Sequence, residues 1–457
     1  MQRFKDLTTA IDMTEGRPWE KLLLFTVPLL VGNVFQQLYS TADAIFLGRF
    51  VGDNALAAVG AVIPFFFLIM MLLMGVAVGS GIMVAQYFGA KSREDLSYTI
   101  GTSITIITIV SLFMMIFGPL ITRPVLVLLR TPYEILEYAI LYTNIMLWGI
   151  LGVAYFNILS GILRGLGDSF SPLLYLIFTS LLNIVLNLFF IVIMGLGVFG
   201  AAVGTVVAQF ISSILCFRRL AQMQDVFDMG WHYLWPKKQY VIQLLKIGVP
   251  TGASQAIFSI AMLITQPLVN YFGATFIAAN VIVMRIDGFV MMPAFSFGNA
   301  ISVYAGQNIG AGKLDRVSLG VKQSLYMAIG TAVVIVAILL GLGHHIAALF
   351  TQTQEVIDLG MRILRILVPG YIAMAIAMIM WGVIRGAGDA ISPLWGSVIN
   401  SILIRVPAAF IFVYFMNRPE AVIYSLLLAW ICNTIISIII YRIGKWRKMG
   451  IVKHESI

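Results

Sequence analysis

The sequence predicts an all-α polytopic membrane protein with twelve transmembrane helices in two six-helix bundles related by a parallel internal repeat. Three observations predict it: an apolar composition, apolar runs of membrane-crossing length, and motifs that recur at one fixed offset. Of 457 residues, 60% are hydrophobic and 11% charged. Soluble domains carry about 25% charged residues. A soluble protein of this length needs polar surface that the chain lacks, whereas lipid removes that need.

Crossing ~30 Å of hydrocarbon takes about 20 apolar residues. Twelve such runs can be read. The first six lie near 22–46, 56–82, 97–118, 135–160, 172–194 and 198–217. The second six lie near 242–267, 277–303, 319–343, 360–384, 393–415 and 421–441. The first run begins near Leu22 with no small-residue cleavage site after it, so the first span is expected to act as its own insertion signal.

Lys and Arg set the orientation. With the N-terminus inside, 21 of the 29 basic residues fall in inner segments and six in outer ones, leaving Arg285 and Arg405 within spans. That split predicts a multi-pass protein of the cell inner (plasma) membrane with both termini cytoplasmic. The net charge of +9 is scattered in short clusters between apolar runs, which argues against a nucleic-acid footprint.

The halves repeat at an offset of 221 residues. Arg164-Gly165-Leu166-Gly167-Asp168 recurs as Arg385-Gly386-Ala387-Gly388-Asp389, and Ser171-Pro172 as Ser392-Pro393. Gln86, Gly89 and Ala90 recur as Gln307, Gly310 and Ala311, and Gly52, Ala57 and Ala58 as Gly273, Ala278 and Ala279. An even number of spans per half makes the repeat parallel, with a cleft between lobes, as alternating access requires. The expected domains are an N-terminal lobe 1–217, a cytoplasmic linker 218–240 and a C-terminal lobe 241–457.

In the Arg-Gly-x-Gly-Asp loops the glycines permit a tight turn. Ser171 and Ser392 are expected to cap the next helix, with Pro172 and Pro393 at its first position. A helix-turn-helix brace and a gating role for Arg164 and Arg385 are both compatible with the motif. Gly89 and Gly310 read as helix-terminating glycines.

These motifs together resemble the multidrug and toxic compound extrusion (MATE) transporters over residues 20–445. The resemblance rests on Pro28 followed by Asp43 in span 1, and on Ala305-Gly306-Gln307-Asn308-Ile309-Gly310-Ala311-Gly312-Lys313 after span 8. The two Arg-Gly-x-Gly-Asp loops and the run Gly200-Ala201-Ala202-Val203-Gly204-Thr205 complete it. It implies two six-helix bundles in a V, and export of cationic or amphipathic drugs in exchange for Na+ or H+. It also implies a coupling carboxylate at the position of Asp43.

Asp43 and Asp287 are the acidic residues well within spans. A carboxylate there is costly and marks a functional site by default. Asn33, Gln36, Ser40 and Asp43 share one helix face. Snorkelling to the headgroups, or pairing with Arg49, is the structural alternative for Asp43. Asn183 and Asn187 share a face in span 5, as do Thr205 and Gln209 in span 6. Their oxygens suit a hard cation, and interhelical hydrogen bonding is the alternative. Asp43, Asn183, Asn187 and Thr205 are therefore the candidate ion-coupling set, with Asp43, Asn183 and Asn187 as metal ligands only if Na+ is the ion. In the branch of the resembled family with its ion site in the N-terminal half, an Asp usually stands where this chain has Asn187. The branch with acids in spans 7 and 10 has no counterpart here. Pro28, which lacks a backbone donor, is the candidate hinge of helix 1.

Candidate substrate-cavity residues are Gln36, Ser40, Gln255, Asp287, Arg405, Met291, Met374 and Met378. Thioethers adapt to varied shapes, though ordinary packing also uses them. Asp287 and Arg405 fall at similar depth and are expected to form a buried pair; a second proton site or a contact to a drug amine are the other readings of these charges. His232, His344, His345 and His454 read as loop or tail residues, which excludes a midplane histidine relay. Cys216 and Cys432 each lie alone in an apolar run. There is no phosphate-binding glycine loop, so ATP drive is not expected. No cofactor is expected beyond H+ or Na+ as coupling ion. The expected partners are membrane lipid and small drug molecules, and the expected state is a monomer. A lipid-linked precursor flippase would line its cavity with several cations. An intramembrane enzyme would need a paired acid or nucleophile-base set within the spans.

Overall fold

The computed structural model describes residues 11–452, and every regular element among them is a helix. The side chains of Ser40, Ala44 and Leu68 lie outside the described set, as do Arg3, Lys5, Lys453 and His454. The helices are α1 (Pro18–Phe46), α2 (Asp53–Gly89), α3 (Arg93–Leu128), α4 (Tyr133–Trp148), α5 (Ile150–Gly165), α6 (Phe170–Asn187) and α7 (Gly197–Ala221). They continue as α8 (Lys238–Tyr271), α9 (Gly273–Gly310), α10 (Leu314–Ala348), α11 (Gln354–Gly386), α12 (Ile391–Ser397), α13 (Val406–Met416) and α14 (Glu420–Ile443). Among the described residues eleven segments are long and apolar enough to cross a membrane, and the α4–α5 pair, bent by 52°, makes a twelfth when counted as one span. The bend falls at Gly149, where a Cβ would lie 2.3 Å from the Val206 side chain. Among the described residues three π-helical stretches interrupt the regular helices: Leu47–Val51 after α1, Leu188–Ile193 after α6, and Val398–Arg405 between α12 and α13.

Two compact units form. One comprises Val27–Gly252 with Ile11 and Asp12; the other comprises Met13–Thr26 and Ala253–Ile457. The division cuts α1 between Thr26 and Val27, next to Pro28, inside an unbroken helix. The segment 218–240 belongs to the first unit. There Arg93 holds the linker: its Nη2 donates to Asp228 Oδ1 at 2.7 Å, and its guanidinium also donates to the carbonyls of Gln224 and Asp225. Lys237 Nζ sits 3.4 Å from the centre of the Tyr98 ring.

The repeat is visible in the packing. In the first unit α2 packs on α5, and in the second α9 packs on α11. Both contacts are made by glycines four apart. A Cβ on Gly161 would lie 2.6 Å from Ala77 O, and one on Gly165 2.5 Å from Gly81 O. In the other unit a Cβ on Gly382 would lie 2.4 Å from Gly298 O, and one on Gly386 2.3 Å from Ser302 O. Backbones this close are the signature of small-residue helix association in lipid, where packing rather than water exclusion drives contact.

The loops after α5 and α11 differ from the sequence expectation in one respect. Gly167 (φ 90°) and Gly388 (φ 93°) make the turn. However, α6 starts at Phe170 and α12 at Ile391, so each serine is the second helical residue and each proline the third. The cap is the aspartate: Asp168 accepts from the Ser171 N–H at 2.9 Å and its hydroxyl at 2.7 Å, and Asp389 does the same for Ser392 at 2.9 and 2.6 Å. A carboxylate before the first turn satisfies an orphan helix N–H, and the serine is the donor, not the cap. Asp168 is also ion-paired to Arg219 at 2.9 Å.

Gly89 and Gly310 are the last helical residues, and the positive-φ turns come two residues later, at Lys91 (φ 56°) and Gly312 (φ 72°). Gln307 and Asn308 bind the backbone of Met13: the Met13 N–H donates to Gln307 Oε1 at 2.9 Å and Asn308 Nδ2 donates to Met13 O at 3.1 Å. His344 and His345 lie in the last turns of α10, not in a loop, because the helix runs on to Ala348.

Candidate functional site

In the first unit, α1, α6 and α7 bring four polar side chains onto Asp43. Asn183 and Asn187 are one turn apart on α6, and each is 1% exposed; Thr205 on α7 is 6% exposed. Asn187 Nδ2 donates to Asp43 Oδ1 and, at 3.0 Å, to Asn183 Oδ1. The Thr205 hydroxyl donates to Asp43 Oδ2 at 3.4 Å and accepts from the Tyr39 hydroxyl at 3.4 Å. Asn183 Nδ2 lies 3.4 Å from Thr205 Oγ1; with the amide turned over, its nitrogen reaches Asp43 Oδ1 at 3.2 Å and its oxygen the Thr205 N–H at 3.3 Å. Asn187 Oδ1 is buried with no hydrogen-bond partner among the described residues. Asp43 forms no ion pair with Arg49 among the described residues.

Two members of this cluster have site roles that the sequence analysis does not assign. Tyr39 stands four residues before Asp43, hence one turn away on the same face. Gly204 stands where a Cβ would lie 2.8 Å from Asn187 Oδ1, so the missing side chain is what lets α7 close on the asparagine. The i,i+4 spacing could have found the tyrosine. Nothing short of the packing finds the glycine. The π stretches after α1 and α6 begin within four residues of Asp43 and directly after Asn187. Such widened turns are rare and gather at functional sites.

The chemistry of this set is one carboxylate, two amides and two hydroxyls. Among the described residues no group of three or more His, Cys, Asp or Glu could hold a metal. The carboxylate can take a proton. It can equally share a hard monovalent cation with the oxygens of Asn183, Asn187 and Thr205, since Na+ needs oxygens rather than a full set of charges.

The second unit holds its own cavity of about 450 Å³, between α8, α9, α11, the Val398–Arg405 stretch and α14. Gln255, Asp287, Met291, Met374, Met378 and Arg405 line it, as do Arg385 and Trp381. Gln36 is an exposed residue of α1 in the other unit, and the Ser40 side chain lies outside the described residues. The expected Asp287–Arg405 pair does not form. Asp287 Oδ1 instead accepts from the Tyr371 hydroxyl, which stands on α11 beside α9. Arg405 lies 5.6 Å from the centre of the Phe258 ring, and its Nη1 is buried without a partner. Equal depth in the membrane is not proximity: the two residues stand on different helices, and a tyrosine has taken the carboxylate.

The sequence profile of the MatE family matches residues 28–189 and 250–411, once in each half. The chain belongs to the MATE family of membrane transporters. It is 29% identical over 433 residues to a probable multidrug resistance protein, YoeA, of Bacillus subtilis, covering 90% of this chain and 92% of that one. It is 24% identical over 461 residues to the probable multidrug resistance protein NorM of Thermotoga maritima, covering 99% and 98%. Among solved structures, an outward-facing multidrug resistance MATE transporter superimposes with a TM-score of 0.89 at 24% identity, covering 96% of this chain and 99% of that one. A transporter of the same superfamily from Pyrococcus furiosus does so with 0.89 at 24%, covering 97% and 99%. At that identity the structures establish a shared fold. The MATE fold and the many apolar helices make this a multi-pass membrane protein.

Proposed function

We propose that the chain is a secondary-active efflux antiporter that exports cationic or amphipathic drugs in exchange for H+ or Na+ by alternating access. It would work as a monomer in the cell inner (plasma) membrane with both termini in the cytoplasm. The relatives named for multidrug resistance support the substrate class. The observation that carries the coupling step is the membrane-embedded carboxylate of Asp43, held by donors from two other helices of its own unit.

The proposed mechanism follows from what those donors require. A charged Asp43 accepts from Asn187 and Thr205 and ties α1 to α6 and α7. A proton on Asp43, or Na+ shared with the oxygens of Asn183, Asn187 and Thr205, removes the charge that these donors were satisfying. The tie weakens, and α1 yields at Pro28, where the helix lacks one backbone hydrogen bond. Neutralisation also removes an attraction for a cationic drug, so ion entry and drug release are coupled. Efflux of a fluorescent cationic drug from proteoliposomes, under separately imposed pH and Na+ gradients, tests this. Asp43→Asn should retain the wild-type elution profile and lose uphill efflux under both gradients. Uphill efflux by Asp43→Asn at the wild-type rate would remove Asp43 from the mechanism, and the gradient that drives the wild type identifies the ion.

A further inference from the structure

The cavity of the second unit contains charge that the coupling step does not use. Its charged lining is Asp287, Arg385 and Arg405. Asp287 is engaged by Tyr371. Arg405 meets no hydrogen-bond or ion-pair partner among the described residues, and its Nη1 is buried. Arg405 is half-buried, and a guanidinium nitrogen taken out of water without an acceptor is unfavourable; its N–H donors in a planar fork match an oxyanion. Arg385, one residue before the turn after α11, brings a second guanidinium to the same space.

From this geometry we propose that the cavity is a binding site for an oxyanion, a carboxylate above all, carried on a flat apolar body. The Arg405 guanidinium takes the carboxylate, while Phe258, Trp381 and Met378 receive the body. A volume of about 450 Å³ fits a drug-sized aromatic acid and is at the small end of ligand pockets, which run roughly 300–1,000 Å³. Asp287 stands apart from the arginine, available to an amine on the same molecule. This site is separate from Asp43 and is tested by binding alone, with no gradient, so its failure leaves the coupling proposal intact.

The probe is 2-naphthoate, with 2-naphthamide as its uncharged isostere. Binding to the full chain in phosphatidylcholine nanodiscs is measured by equilibrium dialysis, corrected for empty nanodiscs. Wild type should bind the acid at least about tenfold more tightly than the amide, the scale of one hydrogen-bonded charge pair. Arg405→Gln should bring the acid down to the level of the amide, and Arg405→Lys should restore part of the difference. Phosphatidylglycerol in the disc that competes with naphthoate in wild type but not in Arg405→Gln would assign the site to a lipid headgroup oxyanion; no competition assigns it to a soluble organic acid. Equal affinity of wild type for acid and amide overturns the proposal whatever the variants do. So does an Arg405→Gln protein that binds the acid as tightly as wild type.

Discussion

Alanine at Gly386 offers a quantitative test of the glycine contact between α9 and α11. The added Cβ would lie 2.3 Å from Ser302 O, while ordinary contacts lie at 3.4–4 Å. The obstacle is backbone, which cannot rotate away, so the two helices must separate by about 1 Å along a shared interface. Overpacking of this kind costs typically ~1–3 kcal/mol. Better helix propensity returns about 0.5–1 kcal/mol of that. At roughly 2–4 °C per kcal/mol for a unit of 150–250 residues, the melting temperature should fall by several degrees. Gly330→Ala on α10 is the control, because nothing lies within 4 Å of its added Cβ. It gains the same propensity with no clash and should melt at or slightly above wild type. The assay is the temperature at which the purified protein in detergent loses its monodisperse chromatographic peak. If Gly386→Ala melts no lower than Gly330→Ala, close backbone packing is not what holds α9 to α11.

Three further outcomes are expected. Asn187→Asp adds a second carboxylate beside Asp43 and should raise the Na+ dependence of efflux; an unchanged Na+ response would favour protons as the driving ion. Gly204→Ala presses on Asn187 Oδ1 and should lower the ion-driven efflux rate several-fold while leaving the melting temperature within a few degrees of wild type; unaltered transport would mean that the fit of α7 to Asn187 does not matter. Arg93→Ala should speed tryptic cleavage at Lys237, since it frees the linker from α3. Its partner Asp228 is held below the usual carboxylate range by the Arg93 hydrogen bond. A depressed folded value means that the docking contribution is complete above the unfolded value of about 3.9 and lost as pH falls through the folded one. Linker protection should therefore be flat from pH 7 to 5 and fail only in stronger acid. Cleavage that accelerates already near pH 6 would point to another group.

The spans and the first-unit cluster were legible for the same reason: lipid makes every polar residue conspicuous. Asn183, Asn187 and Thr205 stood out by their i,i+4 spacing, and Asp43 by being a carboxylate in hydrocarbon. Counting residues from a span boundary, however, gives depth and not angle around the helix. Asp287 and Arg405 were therefore matched by depth alone, while the structure gives Asp287 to Tyr371. The π stretch Val398–Arg405 adds to this, because a wider turn shifts the azimuth of every residue along it. The glycine pairs were visible as Gly161-x-x-x-Gly165 and Gly382-x-x-x-Gly386, but the second glycine of each also opens the Arg-Gly-x-Gly-Asp loop. The turn explained it well enough to hide the packing. The aspartate caps were missed because serine beside proline is the commoner cap signal.

The repeat separates what the fold requires from what the chemistry requires. At the 221-residue offset the backbone contacts recur: Gly161 with Gly382, Gly165 with Gly386, Asp168 with Asp389, Ser171 with Ser392. Arg385 recurs as Arg164, but the other charged groups, at Asp43 and in the second unit's cavity, do not. Asp287 falls opposite Phe66 and Tyr371 opposite Ile150. Asp43 falls opposite Ile264, or Thr265 where Pro28 is matched to Pro250. Each unit thus builds its helices with the same glycines and caps, then furnishes its interior differently: a lone carboxylate among amides and hydroxyls in the first, Arg405 and a tyrosine-bound carboxylate in the second. A ligand satisfied by one interior leaves charge unsatisfied in the other, and unsatisfied buried charge is the strongest discriminator available in a low-dielectric site. The two interiors are therefore not duplicate copies of one binding site.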